Sequence, residues 1–466
     1  MLNRSIFSFL FLFLFSLGSY AQPYNAARNS PAGNDNNTIG SSLREGDSTT
    51  TVFTLTDCLK FALKNQPALN QSLIDEAIAR KNNAIAFSGW LPQVSGAANL
   101  QHYFELPVAY STLNGVLTPF VSGVYDYSTP SVTASQTLFS TDVLLAVRAA
   151  KLNILQARQN TAGTKIELVS DVTKMFYDLL LSLEQIRVFK DDTARLKKNQ
   201  SDTYHQYVSG VVDKVDYKQA TITLNNSLSQ LKTASEAVQA KYAALKQLMG
   251  YPSEKTFNVH FDTTQMMQEI YMDTLASLQF EKRIEYQQLQ TAKRIQRETT
   301  MYYQLSILPS LSATYNYNYE FESDKFTDLY THAYPYSFIG LQLNVPLFTG
   351  FKRIENIRKA QLQEQRIDWD EVNLKLAIYT QYKQAMSNYK SNLYYLYAQG
   401  ENVTMAREVY DIVKLQYREG IKPYLDVIVA ESDLQTAEIS YLNALFQLLE
   451  SKIDVEKAMG DIPTDI

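Results

Sequence analysis

Two short stretches, far apart in the chain, carry the same punctuation, and this duplication limits what the sequence can fold into. Tyr207-Val208-Ser209-Gly210-Val211-Val212-Asp213-Lys214-Val215-Asp216-Tyr217 and Tyr417-Arg418-Glu419-Gly420-Ile421-Lys422-Pro423-Tyr424-Leu425-Asp426-Val427 agree at Tyr, Gly and Asp with a constant offset of 210 positions. The offset persists from Leu248-Met249-Gly250 to Ala458-Met459-Gly460. A repeat of this length is read as one structural unit built twice. Each stretch lies between two long runs of helical apolar spacing. Gly tolerates the left-handed conformation that ends one helix, and Pro423 suits the first position of the next. Both stretches are therefore expected to be the tips of helical hairpins.

The runs on either side are unusually long. Thr141 to Ser209 and Phe351 to Glu419 have equal length, and at about 1.5 Å per residue each spans roughly 100 Å. Within the first, Val169, Val172, Phe176, Leu179, Leu183 and Ile186 step by three and four, a seam of the coiled-coil kind. The returning run, about Asp213 to Met249, repeats it with Leu224, Leu228, Leu231, Val238, Tyr242, Leu245 and Met249, and with a polar lapse at Ser235. It reaches only about half as far. A helix from Thr56 to Gly89, with a break at Asn65-Gln66-Pro67, is expected to stack end to end with it and cover the rest. Gly250 and Gly460 then fall at mid-height, in a girdle that includes a short strand at Phe257 to Phe261.

Between helices the period changes to two. Leu311, Ala313, Tyr315, Tyr317, Tyr319 and Phe321 alternate with Ser312, Thr314, Asn316, Asn318, Glu320 and Glu322. Ile339, Leu341, Leu343, Val345 and Leu347 alternate with Gly340, Gln342 and Asn344. Weaker versions occupy Val94 to Gln101 and Ser131 to Leu138. Each is a strand with one apolar and one wet face, about as long as the ~9–11 residues a membrane-crossing strand needs. The 32 Tyr against 22 Phe suit a membrane-interface belt, and Tyr315, Tyr317 and Tyr319 are the expected lipid-interface residues. Tyr is also simply a strand-favouring residue.

The amino terminus reads as a secretory signal peptide. Arg4 precedes an apolar run from Ile6 to Leu17, and Ser19-Tyr20-Ala21 puts small residues at −3 and −1. Twelve or so apolar residues are too few for a bilayer-spanning helix, which needs ~20. Gln22, the expected new terminus, is not Cys, so a lipid anchor is not expected. Cys58 is the sole cysteine, so no intrachain disulfide forms. A net charge of −5 without basic clusters gives no reason to bind nucleic acid. His102, His205, His260 and His332 are scattered without ligand spacing, and no nucleophile or phosphate-loop motif occurs. No cofactor, no metal and no catalysis are expected.

Four strands cannot close a barrel, and a bilayer tolerates no open sheet edge. Two chains would give eight strands and a filled interior, whereas three give twelve and leave an opening. The expected fold is mainly α with a transmembrane β part. A duplicated unit of helix, strand pair and helical hairpin forms one third of a trimeric 12-stranded β-barrel, with a long α-barrel beneath it. The expected division is a signal peptide at 1–21, a flexible lead-in at 22–53, a first repeat at 54–250, an equatorial linker at 251–271, a second repeat at 272–460 and a tail at 461–466. Strands are expected at about 92–106, 128–139, 309–322 and 335–348, and the hairpin tips at 207–217 and 417–427.

Several of these features together resemble the TolC family of outer-membrane efflux ducts. They are the leader, the Leu91-Pro92 and Leu308-Pro309 starts of strands, the Leu138-Phe139 and Leu347-Phe348 exits, and the paired Tyr-x-x-Gly-(x)5-Asp tips. The arm before the strands is duplicated too: Pro67 pairs with Ile284, and Pro92 with Pro309, at an offset of 217. The resemblance covers Thr54 to Gly460. It implies a homotrimeric channel-tunnel in the outer membrane of a Gram-negative bacterium, extending into the periplasm. The partners it implies are a periplasmic adaptor protein, an inner-membrane pump and outer-membrane lipid. Export is then passive, in tripartite efflux or type I secretion.

By the same resemblance the tips close the periplasmic entrance and meet the adaptor. Lys422, Asp426, Asp213 and Asp216 are the implied pore-gate residues, and Gly210, Val211, Gly420 and Ile421 the implied adaptor contacts. One departure is Val429, which stands where the family pattern has a second acidic residue beyond Asp426, so a double carboxylate ring is unsupported. Taken by themselves, the two glycines are helix C-caps, and Asp216 and Asp426 favour a helix dipole. The rival reading is a secreted coiled-coil scaffold or adhesin with its strands in a soluble head.

Overall fold

The computed structural model describes residues 51–113, 115–260, 270–274 and 277–465. The expected signal peptide and residues 22–50 of the lead-in lie outside the described residues. The last residues assigned to that lead-in are ordered into a strand: β1 (Thr51–Phe53) pairs parallel with β8 (Phe257–Val259). Phe53 and Phe257 meet edge to face at 5.2 Å, and Tyr251 packs on both. Aromatic burial at the girdle thus fixes a segment that composition alone marks as flexible.

The first arm is two helices, parted at the expected break Asn65-Gln66-Pro67. α1 (Leu55–Asn65) begins in a capping box, in which Thr54 Oγ1 accepts from the Asp57 amide and the Asp57 carboxylate accepts from the Thr54 amide. It ends at Gln66 (φ −62°, ψ 122°), held extended because α2 (Pro67–Ser88) starts on a proline. Only the 22 residues of α2 therefore extend the strut, while α1 lies in the girdle.

The long helices α3 (Thr141–Val208) and α6 (Lys352–Arg418) have 68 and 67 residues. Their returning partners, α4 (Lys214–Met249) and α7 (Tyr424–Met459), have 36 each. α5 (Ile284–Leu305) repeats α2 at 22 residues. α4 and α7 both end at a left-handed glycine, and each glycine is pressed against the break that precedes a stacked helix. A Cβ on Gly250 would lie 2.7 Å from the Asn65 carbonyl oxygen, and one on Gly460 2.9 Å from that of Lys282. The two contacts are repeat equivalents, so end-to-end stacking is built identically twice. The main core sits at this level, with Val169, Val172, Phe176 and Leu179 against Leu245, Met249, Tyr389, Leu448 and Val455.

The sheet departs from the expected strands in three places. The first strand is broken into β2 (Gln93–Ala97) and β3 (Leu100–His102), and its partner into β6 (Asp126–Ser128) and β7 (Ser131–Phe139). Pro130 has no amide to donate to the ladder; its carbonyl instead accepts from Tyr319 N at 2.8 Å. The long loop between them holds a hairpin, β4 (Val108–Leu113) with β5 (Val116–Val121). In the second copy, β9 (Ser310–Ser323) and β10 (Ala333–Asn344) match the expected pair except that β10 stops before Pro346. The register aligns Val94, Ala134, Tyr315 and Ile339 on one face across four strands.

Strand and helix order coincide. The sheet runs β2/β3, β6/β7, β9, β10, and below it the helices run α2, α3, α5, α6, each continuous with its strand. In the lower half the order is α4, α3, α7, α6. One flank is therefore β2/β3, α2 and α4 from top to bottom, and the other is β10 and α6. Both flanks expose apolar side chains: Ile74, Ile78 and Ile85 on α2, Val215, Ile222 and Leu228 on α4, and Leu362, Trp369, Val372 and Leu376 on α6.

The stacked glycines yield a stability prediction. Gly250→Ala and Gly460→Ala, which meet both a carbonyl and a positive φ, are expected to cost roughly 2–4 kcal/mol each. Gly210→Ala and Gly420→Ala, which meet nothing within 4 Å, should cost only the left-handed strain of about 1–2 kcal/mol. Thermal melting of the four purified variants, followed by helical circular dichroism, would show the larger losses at mid-height. Equal losses at all four sites would rule the stacking contact out as their cause.

Candidate functional site

The hairpin tips follow from their local sequence. Gly210 (φ 77°) and Gly420 (φ 73°) take the left-handed conformation. The amide of the next residue then reaches back, Val211 N to Gln206 O and Ile421 N to Gln416 O, both at 2.8 Å. This is the six-to-one bond of a Schellman ending. It turns the apolar residue after each glycine outward, leaving Val211 and Ile421 among the most exposed apolar residues of the helical part, at 72% and 71%.

The helices restart differently in the two copies. Asp213 caps α4 through its side chain, with Oδ1 accepting from Lys214 N at 2.6 Å. Its counterpart Pro423 occupies the cap position of α7, one residue before the expected first helical position, with φ −71° and ψ 159°. Asp216 and Asp426 lie in the first turns, where a carboxylate complements the helix dipole. Asp426 also has a side-chain partner: Lys422 Nζ lies 2.7 Å from its Oδ2, both half-exposed. The structure thus brings the two α6–α7 gate candidates together as one ion pair on one hairpin.

Sequence reasoning did not single out what joins the two hairpins. Tyr417 Oη on α6 donates to Gln206 Oε1 on α3 at 2.9 Å. Burial, followed by the charges of Asp216 and Asp202, raises the Tyr417 phenol above its ordinary value. Next to it Tyr424 is almost fully buried, and burial pushes its phenol up to about 12. Tyr410, Tyr424, Val427, Ala430 and Leu434, with Ala220 of α4, form a small tip core separate from the girdle core. On the first hairpin, Tyr207 stacks on Tyr217 at 6.1 Å and 9°. A tyrosine recurring one turn from each tip glycine was the available signal, but its partner Gln206 has no mark in the sequence.

At the other end, Tyr315, Tyr317 and Tyr319 project from one face of β9, with Tyr317 and Tyr319 in ring contact at 6.0 Å. They form a file along the strand, covering about 13 Å. Among the described residues no helix is long and apolar enough to cross a membrane.

Comparison with known proteins agrees with this arrangement. The family model for outer membrane efflux protein matches residues 58–251 and 297–461. The outer membrane efflux protein BepC of Brucella suis is 23% identical over 423 residues, covering 88% of this chain and 86% of that protein. The outer membrane protein TolC of Vibrio cholerae is 20% identical over 342 residues, covering 72% and 77%. Among solved structures, CusC, described in terms of transmembrane channel formation, superposes with a TM-score of 0.70 at 15% identity, covering 87% of this chain and 91% of that one.

The bond between the hairpins gives the prediction for this region. Tyr417→Phe is expected to release about 1 kcal/mol of hairpin-to-hairpin bonding and speed tryptic cleavage at Arg418 about fivefold. Gln206→Ala added to it should change little further. Independent, additive effects of the two substitutions on the cleavage rate would show that they are not bonded in solution.

Proposed function

Because the chain belongs to the outer membrane efflux protein family, we propose that it is the outer-membrane duct of a tripartite efflux or type I secretion system. Three copies close one 12-stranded barrel over one helical barrel. The single observation that carries this reading is the pair of unfinished flanks running from sheet to tip. In a bilayer the free edges of β2 and β10 would leave backbone amides and carbonyls without partners. A neighbouring copy supplies them, setting β10 and α6 of one copy against β2, α2 and α4 of the next. The apolar face through Val94, Ala134, Tyr315 and Ile339 then meets lipid. The face bearing Thr133, Asn316 and Gln342 lines water.

At the opposite end, the exposed Val211 and Ile421 suit an apolar surface on a periplasmic adaptor protein, which links the duct to an inner-membrane pump. Lys422, Asp426, Asp213 and Asp216 ring the entrance. Since Lys422 neutralises Asp426 in the same hairpin, the gate acts through pairing more than through a bare carboxylate ring. Transport through such a duct is passive. A secreted coiled-coil scaffold or adhesin accounts for the hairpins but leaves the apolar face of the sheet without a partner, and is not favoured.

The test is reconstitution of detergent-purified protein into planar bilayers, with its assembly read on unheated gels. A trimer that falls to monomer on heating and carries ionic current is expected. Leu376→Glu and Ile78→Glu, on opposite flanks, should each deplete the trimer. Lys422→Ala and Asp426→Ala should leave the trimer intact and change single-channel current severalfold. Unchanged current in both would remove the gating role, and a lipid-indifferent monomer would remove the duct itself.

A further inference from the structure

Between the girdle core and the tip core, the seam joining the two hairpins becomes polar. Asp192 and Glu431 are only 2% and 3% exposed, and both face the single guanidinium of Arg195. Arg195 Nη2 lies 3.2 Å from Asp192 Oδ1, and Nε 3.3 Å from Glu431 Oε1. Three neutral groups complete the layer. Asn199 Nδ2 donates to Glu431 Oε2 at 3.2 Å, while Ser227 Oγ and Gln435 Nε2 each donate to Asp192 Oδ2 at 2.8 Å. The layer ties α3 to both α4 and α7 where an apolar heptad position would otherwise stand.

Its charges do not balance. Of the surrounding cations, Arg407 pairs with Glu438 and Arg187 with Glu184, while Lys414 lies on the Tyr410 ring and its charge also reaches Glu431. The other ionisable groups facing the pair or lining the adjoining cleft are Asp191 on α3, Tyr410 and Asp411 on α6 and Tyr424 on α7; α4 contributes the Ser227 hydroxyl. Two buried carboxylates therefore share one guanidinium in direct contact, with the Lys414 charge acting on Glu431 from farther off. The layer is also within reach of water: a cleft of about 520 Å³ opens beside Arg195, lined by Arg187, Asp191, Arg407, Tyr410 and Asp411.

We propose that the Asp192–Arg195–Glu431 layer is a proton-operated latch, in which uptake of one proton through the cleft tightens the two hairpins against each other and its loss frees them to part. The consequence for opening rests on the duct reading above; the latch itself does not. Burial, helped by the charge of Asp192, raises the carboxyl of Glu431 against the opposing effects of Arg195 and Lys414, and burial likewise raises Asp192 against those of Ser227 and Arg195. The sign follows from linkage. An acid whose value is raised in the latched state holds its proton more tightly there. The latch is then strongest in acid and weakens as pH rises through the raised values of the pair. A neutral carboxyl keeps a hydrogen bond while removing the mutual repulsion, so protonation does not break the layer.

Hydrogen exchange on the detergent-purified full chain tests this, comparing about pH 5.5 with pH 8 after correction for intrinsic exchange. Native amides in 190–200 and 427–438 are expected to exchange about fivefold more slowly at the lower pH. Glu431→Gln, isosteric with the protonated state, should be slow at both pH values. Asp192→Asn should behave alike and serves if the first variant assembles poorly. Asp454→Asn, at the partly buried pair with Lys174 in the girdle, should keep the native difference. A native protein with no pH difference, or the native difference surviving in both layer variants, overturns the latch. Bilayer current measured in parallel separates the two claims. Current present without the exchange difference removes the latch alone, and the exchange difference without any current removes the duct reading alone.

Discussion

An unpaired strand edge is the constraint from which the rest of this molecule follows. In water an edge can be solvated, charged or twisted away. In hydrocarbon none of these works, and each orphaned backbone group costs several kcal/mol. The sheet here has β2/β3 at one edge and β10 at the other, and neither turns back on the other. The helices below keep the same order, so the incompleteness passes from sheet to helices without a break. α6 alone forms one flank through its whole length, whereas β2, α2 and α4 divide the other among them. A monomer arranged this way leaves both flanks, strand edge and apolar helix faces alike, without a partner of its own.

Duplication makes such a component affordable for one chain. The long helices cannot be matched by a single returning helix, because the return must stop where the arm descends. Both copies solve this with a left-handed glycine set against the carbonyl of an extended break, Gly250 on Asn65 and Gly460 on Lys282. The surrounding buried cluster draws on both repeats at once, from Leu59 and Val172 to Tyr389 and Leu448. Stability is therefore concentrated at mid-height, and it falls away toward the tips, where the buried apolar cluster is a handful of residues.

Much of this was legible because it is periodic or punctuated. The long helices, the two tips and the second strand pair follow from heptads, from Gly at offset 210 and from strict alternation over Leu311 to Phe321. What was not legible depends on contacts between distant residues. Thr51–Phe53 looks like loop until Phe257 and Tyr251 are beside it. The strand β2/β3 is broken opposite Pro130, a constraint imposed by its partner. In α4 the apolar seam was expected to pass through Leu228, but Leu228 is 46% exposed and Ser227 is buried. The helix presents a hydroxyl there because Asp192 of α3 waits opposite, and nothing within α4 announces that. The tip pairing of Lys422 with Asp426 was readable as an i,i+4 spacing, whereas Tyr417 with Gln206 was not.

The placement of the polar layer is itself informative. Apolar packing holds regardless of pH and of small displacements until it is separated altogether. A charged layer with an odd carboxylate has a strength that depends on its proton count and on whether water reaches it. Two hairpins joined along their whole length by Leu and Val would move as one body with the girdle. That seam is interrupted at Asp192 and Glu431, below the main core and above the tip core. The tip core stays largely on the second hairpin, with Tyr410, Tyr424, Val427, Ala430 and Leu434 all from α6 and α7. That hairpin keeps most of its own apolar packing to itself, and its side-chain hydrogen bonds to the first hairpin at the layer and at Tyr417 are polar ones that water can replace.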